Sequence, residues 1–137
     1  MKPRVLTPDH LEQLRRLDVV AIYLFGSRAR GVEHPLSDYD YAVLTRESGH
    51  RRGGPLYTAL YDVLSEVSPR TIENDVLDIV FLSEAPLELR FHVIRYGELL
   101  YDADPPLRMD FESRTTLLYC DFRPILDEMD RAILDRT

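Results

Sequence analysis

Gly26-Ser27-Arg28-Ala29-Arg30-Gly31, with Asp38-Tyr39-Asp40 seven positions on, decides how the rest of this chain is read. An apolar run, Val19-Val20-Ala21-Ile22-Tyr23-Leu24-Phe25, precedes it, and a second, Tyr41-Ala42-Val43-Leu44, follows. The pattern predicts strand, tight turn, the start of a short helix, loop and second strand. Gly26 lets the backbone turn sharply and approach a ligand closely. Ser27 adds a hydroxyl to amides that can point at an anion. Asp38 and Asp40 are two apart, so a strand projects both from one face and Tyr39 and Tyr41 from the other. Carboxylates about 6 Å apart repel by roughly 3 kcal/mol at an effective dielectric near 20, and a divalent cation between them reverses the sign. A phosphate cradle beside metal-binding carboxylates is the minimum equipment for handling a nucleoside triphosphate.

A third acid stands alone in the apolar run Val76-Leu77-Asp78-Ile79-Val80-Phe81-Leu82. A carboxylate among buried side chains must be paired, protonated or bound to metal. Beside the Asp38/Asp40 strand, Asp78 completes an oxygen-rich cluster suited to Mg²⁺ or Mn²⁺. The plainer alternative is an ion pair with an arginine. Asp75 competes for the third place, but it faces the other way in a strand and fits the entering turn better.

Taken in order, Thr7-Pro8-Asp9 reads as a helix start, with Leu11, Leu14 and Leu17 at helical spacing. Val19–Phe25 is apolar on both faces, as a central strand covered by helices is. Arg46 to Gly54 reads as a polar surface loop, with closure of Arg51 and Arg52 over a nucleotide the alternative. Pro55–Val67 repeats its apolar residues as a core-facing helix does, and Ser68-Pro69 stops it. Val76–Leu82 is a strand, a helix follows from Ser83 to Gly97, and Glu98–Tyr101 fits a short edge strand. After a loop at 102–106 comes a long helix, expected to break or kink near Pro124. Its Met109, Leu117, Leu118, Ile125, Leu126, Met129 and Ile133 suggest a partly buried stripe. Strands mixed with helices give an α/β (α+β) class, a small mixed sheet with helices packed on it.

The 137 residues are expected to form a single domain, 1–137, large enough for a core without disulfide or structural metal. One cysteine, Cys120, fits a reducing cytoplasm, and no apolar run approaches the ~18 residues that span a bilayer. The formal net charge of −7 disfavours direct nucleic-acid binding and suits a basic protein partner. His34 and His92 lack metal-ligand spacing. Arg28 and Arg30 can reach a phosphate or a partner, although an arginine on a surface helix is more often solvated; Arg30 is the nucleotide-binding candidate of the two.

Gly26-Ser27, ten residues, Asp38-x-Asp40, and then Asp78 in an apolar strand resemble the DNA polymerase β-like nucleotidyltransferase superfamily. The short chain, and the tail Leu118-Tyr119-Cys120-Asp121-Phe122-Arg123-Pro124, resemble its minimal nucleotidyltransferases, the antitoxins of HEPN/MNT toxin–antitoxin modules. The resemblance implies a nucleotidyltransferase fold and a protein adenylyltransferase that moves AMP from ATP to a tyrosine of a cognate HEPN ribonuclease toxin. It implies that Gly26 and Ser27 hold the β,γ-phosphates of ATP. Asp38 and Asp40 would then bind two Mg²⁺, with Asp78 binding one of them and helping to activate the attacking hydroxyl. In-line displacement at phosphorus with two metals about 4 Å apart needs little more than such a carboxylate set. Two alternatives stay open: a binding-only antitoxin with a vestigial nucleotide site, and a small-molecule nucleotidyltransferase.

Overall fold

Four short strands carry most of the core, and their order decides where the acids lie. The computed structural model describes residues 6–26, 39–68 and 77–135. Helix α1 (Pro8–Arg15) is followed by β1 (Ala21–Phe25), β2 (Tyr39–Leu44), α2 (Pro55–Val67) and β3 (Leu77–Phe81). A 3₁₀ turn (Leu82–Glu84), α3 (Leu87–Tyr96), β4 (Glu98–Asp102) and α4 (Pro105–Asp135) complete the chain. The sheet order is β3-β2-β1-β4. β1 runs antiparallel to β2 and β4, whereas β2 and β3 are parallel, as the crossover through α2 permits. The mixed sheet with helices is the expected class.

Both faces of the sheet are covered. Ile22 and Leu24 point with Tyr39, Tyr41 and Val43 into a core closed by Leu14 of α1 and by Leu56, Leu60, Val63, Leu64 and Val67 of α2. Ala21, Tyr23, Ala42 and Leu44 point the other way, against Leu82 and Val93, with Phe111 of α4 beside them. A side chain such as Leu60, fully buried, contributes on the order of 2 kcal/mol through the water it no longer orders. Tyr41 Oη and Ser68 Oγ lie 2.5 Å apart, and Ser68 Oγ donates to the carbonyl of Leu64. Burial pushes the Tyr41 hydroxyl up to about 12, the Ser68 hydrogen bond pulling weakly against it.

Local caps follow the sequence. Thr7 and His10 form a reciprocal cap at α1, with Pro8 in its first turn. His10 Nε2 then reaches Glu66 Oε2 at 2.8 Å, tying α1 to α2. Arg108 bridges Asp102 Oδ2 at 2.8 Å and Glu112 Oε1 at 2.6 Å, and Glu112 accepts from Tyr23 Oη, locking α4 to β4 and β1.

Four expectations are revised. β1 begins at Ala21 rather than Val19, yet the amide of Val20 still donates to Leu44 and its carbonyl accepts from Ala103, so pairing extends past the strand proper. The residues after β3 first form a 3₁₀ turn, and α3 starts only at Leu87, because Pro86 lacks an amide to continue a helix backwards. α4 runs unbroken through Pro124 for 31 residues. The carbonyl of Cys120, deprived of its partner by that proline, sits where water can serve it. Lastly, the expected stripe is not buried: Met109, Leu117, Leu118, Ile125, Met129 and Ile133 are all exposed, Ile133 to 61%. From Cys120 to Leu134 every described side chain is exposed, while nearer the start of the helix the stacked Phe91 and Tyr119 rings join α3 to α4.

Candidate nucleotidyl-transfer site

Strand direction gathers the site. Because β1 and β2 are antiparallel, the end of β1 meets the beginning of β2, and Phe25 pairs with Asp40. Because β3 is parallel to β2, its own beginning lies at that same end, and Asp40 pairs with Asp78. Both acids leave the face opposite Tyr39 and Tyr41, which are fully buried under α1 and α2. Neighbouring strands are about 4.8 Å apart. At roughly 5 Å two carboxylates repel by about 3 kcal/mol at an effective dielectric of about 20.

Gly26 closes the third side. Its φ of 83° is in the left-handed region, where side chains other than glycine are strained. A Cβ built there would lie 2.8 Å from Asp40 Oδ2. The turn therefore lies directly against the carboxylate, which crowds the space a side chain would need.

Asp78 is partly exposed, at 29%, and Arg52 Nη1 donates to its Oδ1 at 2.5 Å. The Arg52 guanidinium also stands 5.8 Å from the centre of the Tyr57 ring. Burial raises the Tyr57 hydroxyl above its usual range; Arg52 pulls it down and Asp78 pushes it up. The two readings of Asp78 are thus not exclusive: it lies beside Asp40 and also holds an arginine.

The loop that presents Arg52 is tied along its length. Asp18 accepts from the amides of Arg46 and Glu47 and from His50 Nε2, the last at 2.9 Å. Burial pushes the Asp18 carboxyl up, but the His50 contact and the two amides outweigh it and leave the group below the ordinary carboxylate range. Gly49 N donates to Glu84 Oε1 at 2.6 Å, and Gly54 N to the carbonyl of Arg51. A polar surface loop was the expectation, with closure of Arg51 and Arg52 over a nucleotide the alternative; that Arg52 is the arginine at Asp78 was not foreseen. The signal available was the lone Asp78, which called for a cation.

Ser27, Arg28, Arg30, His34, Asp38 and Asp75 lie outside the described residues. Among the described residues no three His, Cys, Asp or Glu side chains are grouped to hold a metal. Asp40 and Asp78 do suit a hard divalent ion: both are oxygen donors, they share one face, and Asp78 already attracts a positive charge. His92 rests against Tyr96 on α3.

The chain is similar in sequence and structure to known proteins. The family described as "Polymerase beta, Nucleotidyltransferase" matches residues 11–106. The protein adenylyltransferase MntA of Aphanizomenon flos-aquae (strain 2012/KM1/D3) is 32% identical over 109 residues, which span 76% of this chain and 71% of that protein. A chain of a solved toxin–antitoxin structure with AMP-PNP superposes with a TM-score of 0.60 at 26% identity, covering 87% of this chain and 94% of that one. For the fold alone, the complex of a tri-AMPylated Shewanella oneidensis HEPN toxin with its MNT antitoxin gives a TM-score of 0.53 at 22% identity, covering 88% and 92%.

Proposed function

Because the chain belongs to the polymerase β nucleotidyltransferase family, we propose that it is an antitoxin that transfers AMP from ATP to a tyrosine of a cognate HEPN ribonuclease toxin. It does so in the cytoplasm, as a single domain. The observation that carries this reading is the register that sets Asp40 against Asp78 with the Gly26 turn on top of them. The relative named an adenylyltransferase, and the structural neighbour solved with a toxin and AMP-PNP, support it.

Each residue has a place in that reaction. Gly26 and Ser27 cradle the outgoing phosphates, with Arg30 as a further phosphate contact. Asp38, Asp40 and Asp78 would hold two Mg²⁺, which when bound would neutralise developing charge and lower the pKa of the attacking hydroxyl. The tyrosine oxygen bonds to the α-phosphorus as the bond to the bridging oxygen breaks, and pyrophosphate leaves. Asp78 helps to take up the hydroxyl proton. Most of the acceleration comes from positioning and charge, as expected for phosphoryl-type transfer.

The exposed stripe on α4 supports a protein acceptor. Leu118, Phe122, Ile125 and Met129 recur at intervals of four, three and four, the spacing of a seam that takes a second helix. We assign that face to the toxin. The same stripe also favours a second reading, in which docking alone silences the toxin.

Co-expression with the partner, followed by intact mass in ATP and Mg²⁺, tests both. Asp40→Asn should leave the complex intact and abolish AMP addition. Toxin that stays silent with no AMP attached speaks for docking alone.

A further inference from the structure

Arg52 does at Asp78 what a cation would do. Its guanidinium meets Oδ1 at 2.5 Å, on the strand whose register puts Asp40 alongside, so the paired acids carry a counter-charge before any metal arrives. The arginine is held from two directions, by the Asp78 carboxylate and by the Tyr57 ring in the first turn of α2. The chain on either side is anchored, through Gly49 to Glu84 and through the Gly54 amide to Arg51, with Gly53 at a φ of 78° between. The side chain itself is 68% exposed, so it can swing while its backbone stays in place. Such an exposed pair is weak enough to be exchanged.

We propose that Arg52 is the removable counter-ion of Asp78: it yields the carboxylate to an incoming divalent cation and turns to the triphosphate of the nucleotide. This rests on the assignment of Asp40 and Asp78 as metal ligands. A guanidinium is suited to both partners, since its planar fork fits carboxylate and phosphate alike. The exchange also keeps the like-charged acids compensated at every stage, first by arginine and then by metal. Arg52 is accordingly a positioning residue without metal and a phosphate contact with it.

The two roles predict opposite effects of one substitution. Titration of Mn²⁺ into nucleotide-free protein, followed by water-proton relaxation, should find Arg52→Ala binding the ion about two- to fivefold tighter than wild type, the range an exposed ion pair commands. Calorimetry with a non-hydrolysable ATP analogue at saturating Mg²⁺ should find the same variant binding the analogue several-fold more weakly. Arg52→Lys, which keeps the charge but not the fork, should fall between on both measurements. Unchanged or weaker Mn²⁺ binding in Arg52→Ala overturns the counter-ion role, and unchanged analogue affinity overturns the transfer to phosphate. Should Mn²⁺ affinity survive both Asp40→Asn and Asp78→Asn, the metal-site assignment fails first and the proposal falls with it.

Discussion

Asp40 Oδ2 lies 2.8 Å from where the first side-chain carbon of residue 26 would be, and the turn beside it has a φ that strains any residue but glycine. Gly26→Ala therefore meets two penalties, a backbone at φ 83° and a collision with the carboxylate. The strain is worth about 1–2 kcal/mol. The melting temperature should fall by about 3–8 °C. AMP transfer should fall further than stability does, because Asp40 is the group displaced. Calorimetric melting and intact-mass rate measurements on one preparation separate the two effects.

Asp40→Asn retains the shape of the side chain and removes its charge. AMP transfer should drop by at least about 100-fold, the loss typical of a missing electrostatic stabiliser. Single-turnover assays with the partner check this, and a far-UV spectrum like that of wild type excludes unfolding as the cause.

Asp18 ties down the loop that presents Arg52, and its depressed pKa fixes the sign of a pH effect. A carboxyl held below its unfolded value of 3.8 contributes stability above that pH and loses it as pH falls through the folded value. Asp18→Asn should be less stable than wild type at pH 7, and the gap should close below about pH 4. Urea titrations at pH 7, 5 and 3 would reveal the convergence.

Tyr41 gives the opposite sign. Its hydroxyl is pushed from 10.0 up to about 12 in the fold, so the unfolded chain releases its proton first. Stability should be intact below pH 10 and decline as pH rises toward 12. Tyr41→Phe should remove that part of the alkaline decline while costing about 1 kcal/mol at neutral pH through the lost contact with Ser68. Alkaline melting curves of the two proteins decide it.

On α4, Phe122→Glu and Ile125→Glu put charge on the exposed seam, at side chains that are 46% and 50% exposed. Melting temperature should move by less than about 2 °C, as for ordinary surface changes. Affinity for the toxin should fall at least tenfold if the seam is the docking face, as central apolar anchors lose more than 1.4 kcal/mol on such a change. Calorimetry with purified toxin measures this directly.

Much of the site was legible because its signals are local. Asp78 broke an apolar strand, Gly26 marked a turn, and alternation alone put Tyr39 and Tyr41 behind the sheet. That Asp78 would stand near the Asp38/Asp40 strand followed if the two strands were neighbours, while its register against Asp40 came only with the structure. What escaped depends on distant parts of the chain. Arg52 read as part of a polar surface loop, and its place beside Asp78 depends on the anchors at Asp18 and Glu84 that tie that loop down. The apolar repeat of α4 announced a face without saying what it meets, so burial was assumed where there is exposure. Pro124 suggested a break, yet an exposed helix can pass its orphaned carbonyl to solvent.

The alternation of β2 has one further consequence. Under the proposed function, with a tyrosine as acceptor and Asp40 as a metal ligand, Tyr39 and Tyr41 on either side of that acid are shut in the hydrocarbon interior. Neither can swing round to the nucleotide without unpicking the strand that carries the acid. The catalyst is thereby shielded from labelling itself at these two positions, and the activated phosphate waits for a hydroxyl that arrives from another molecule.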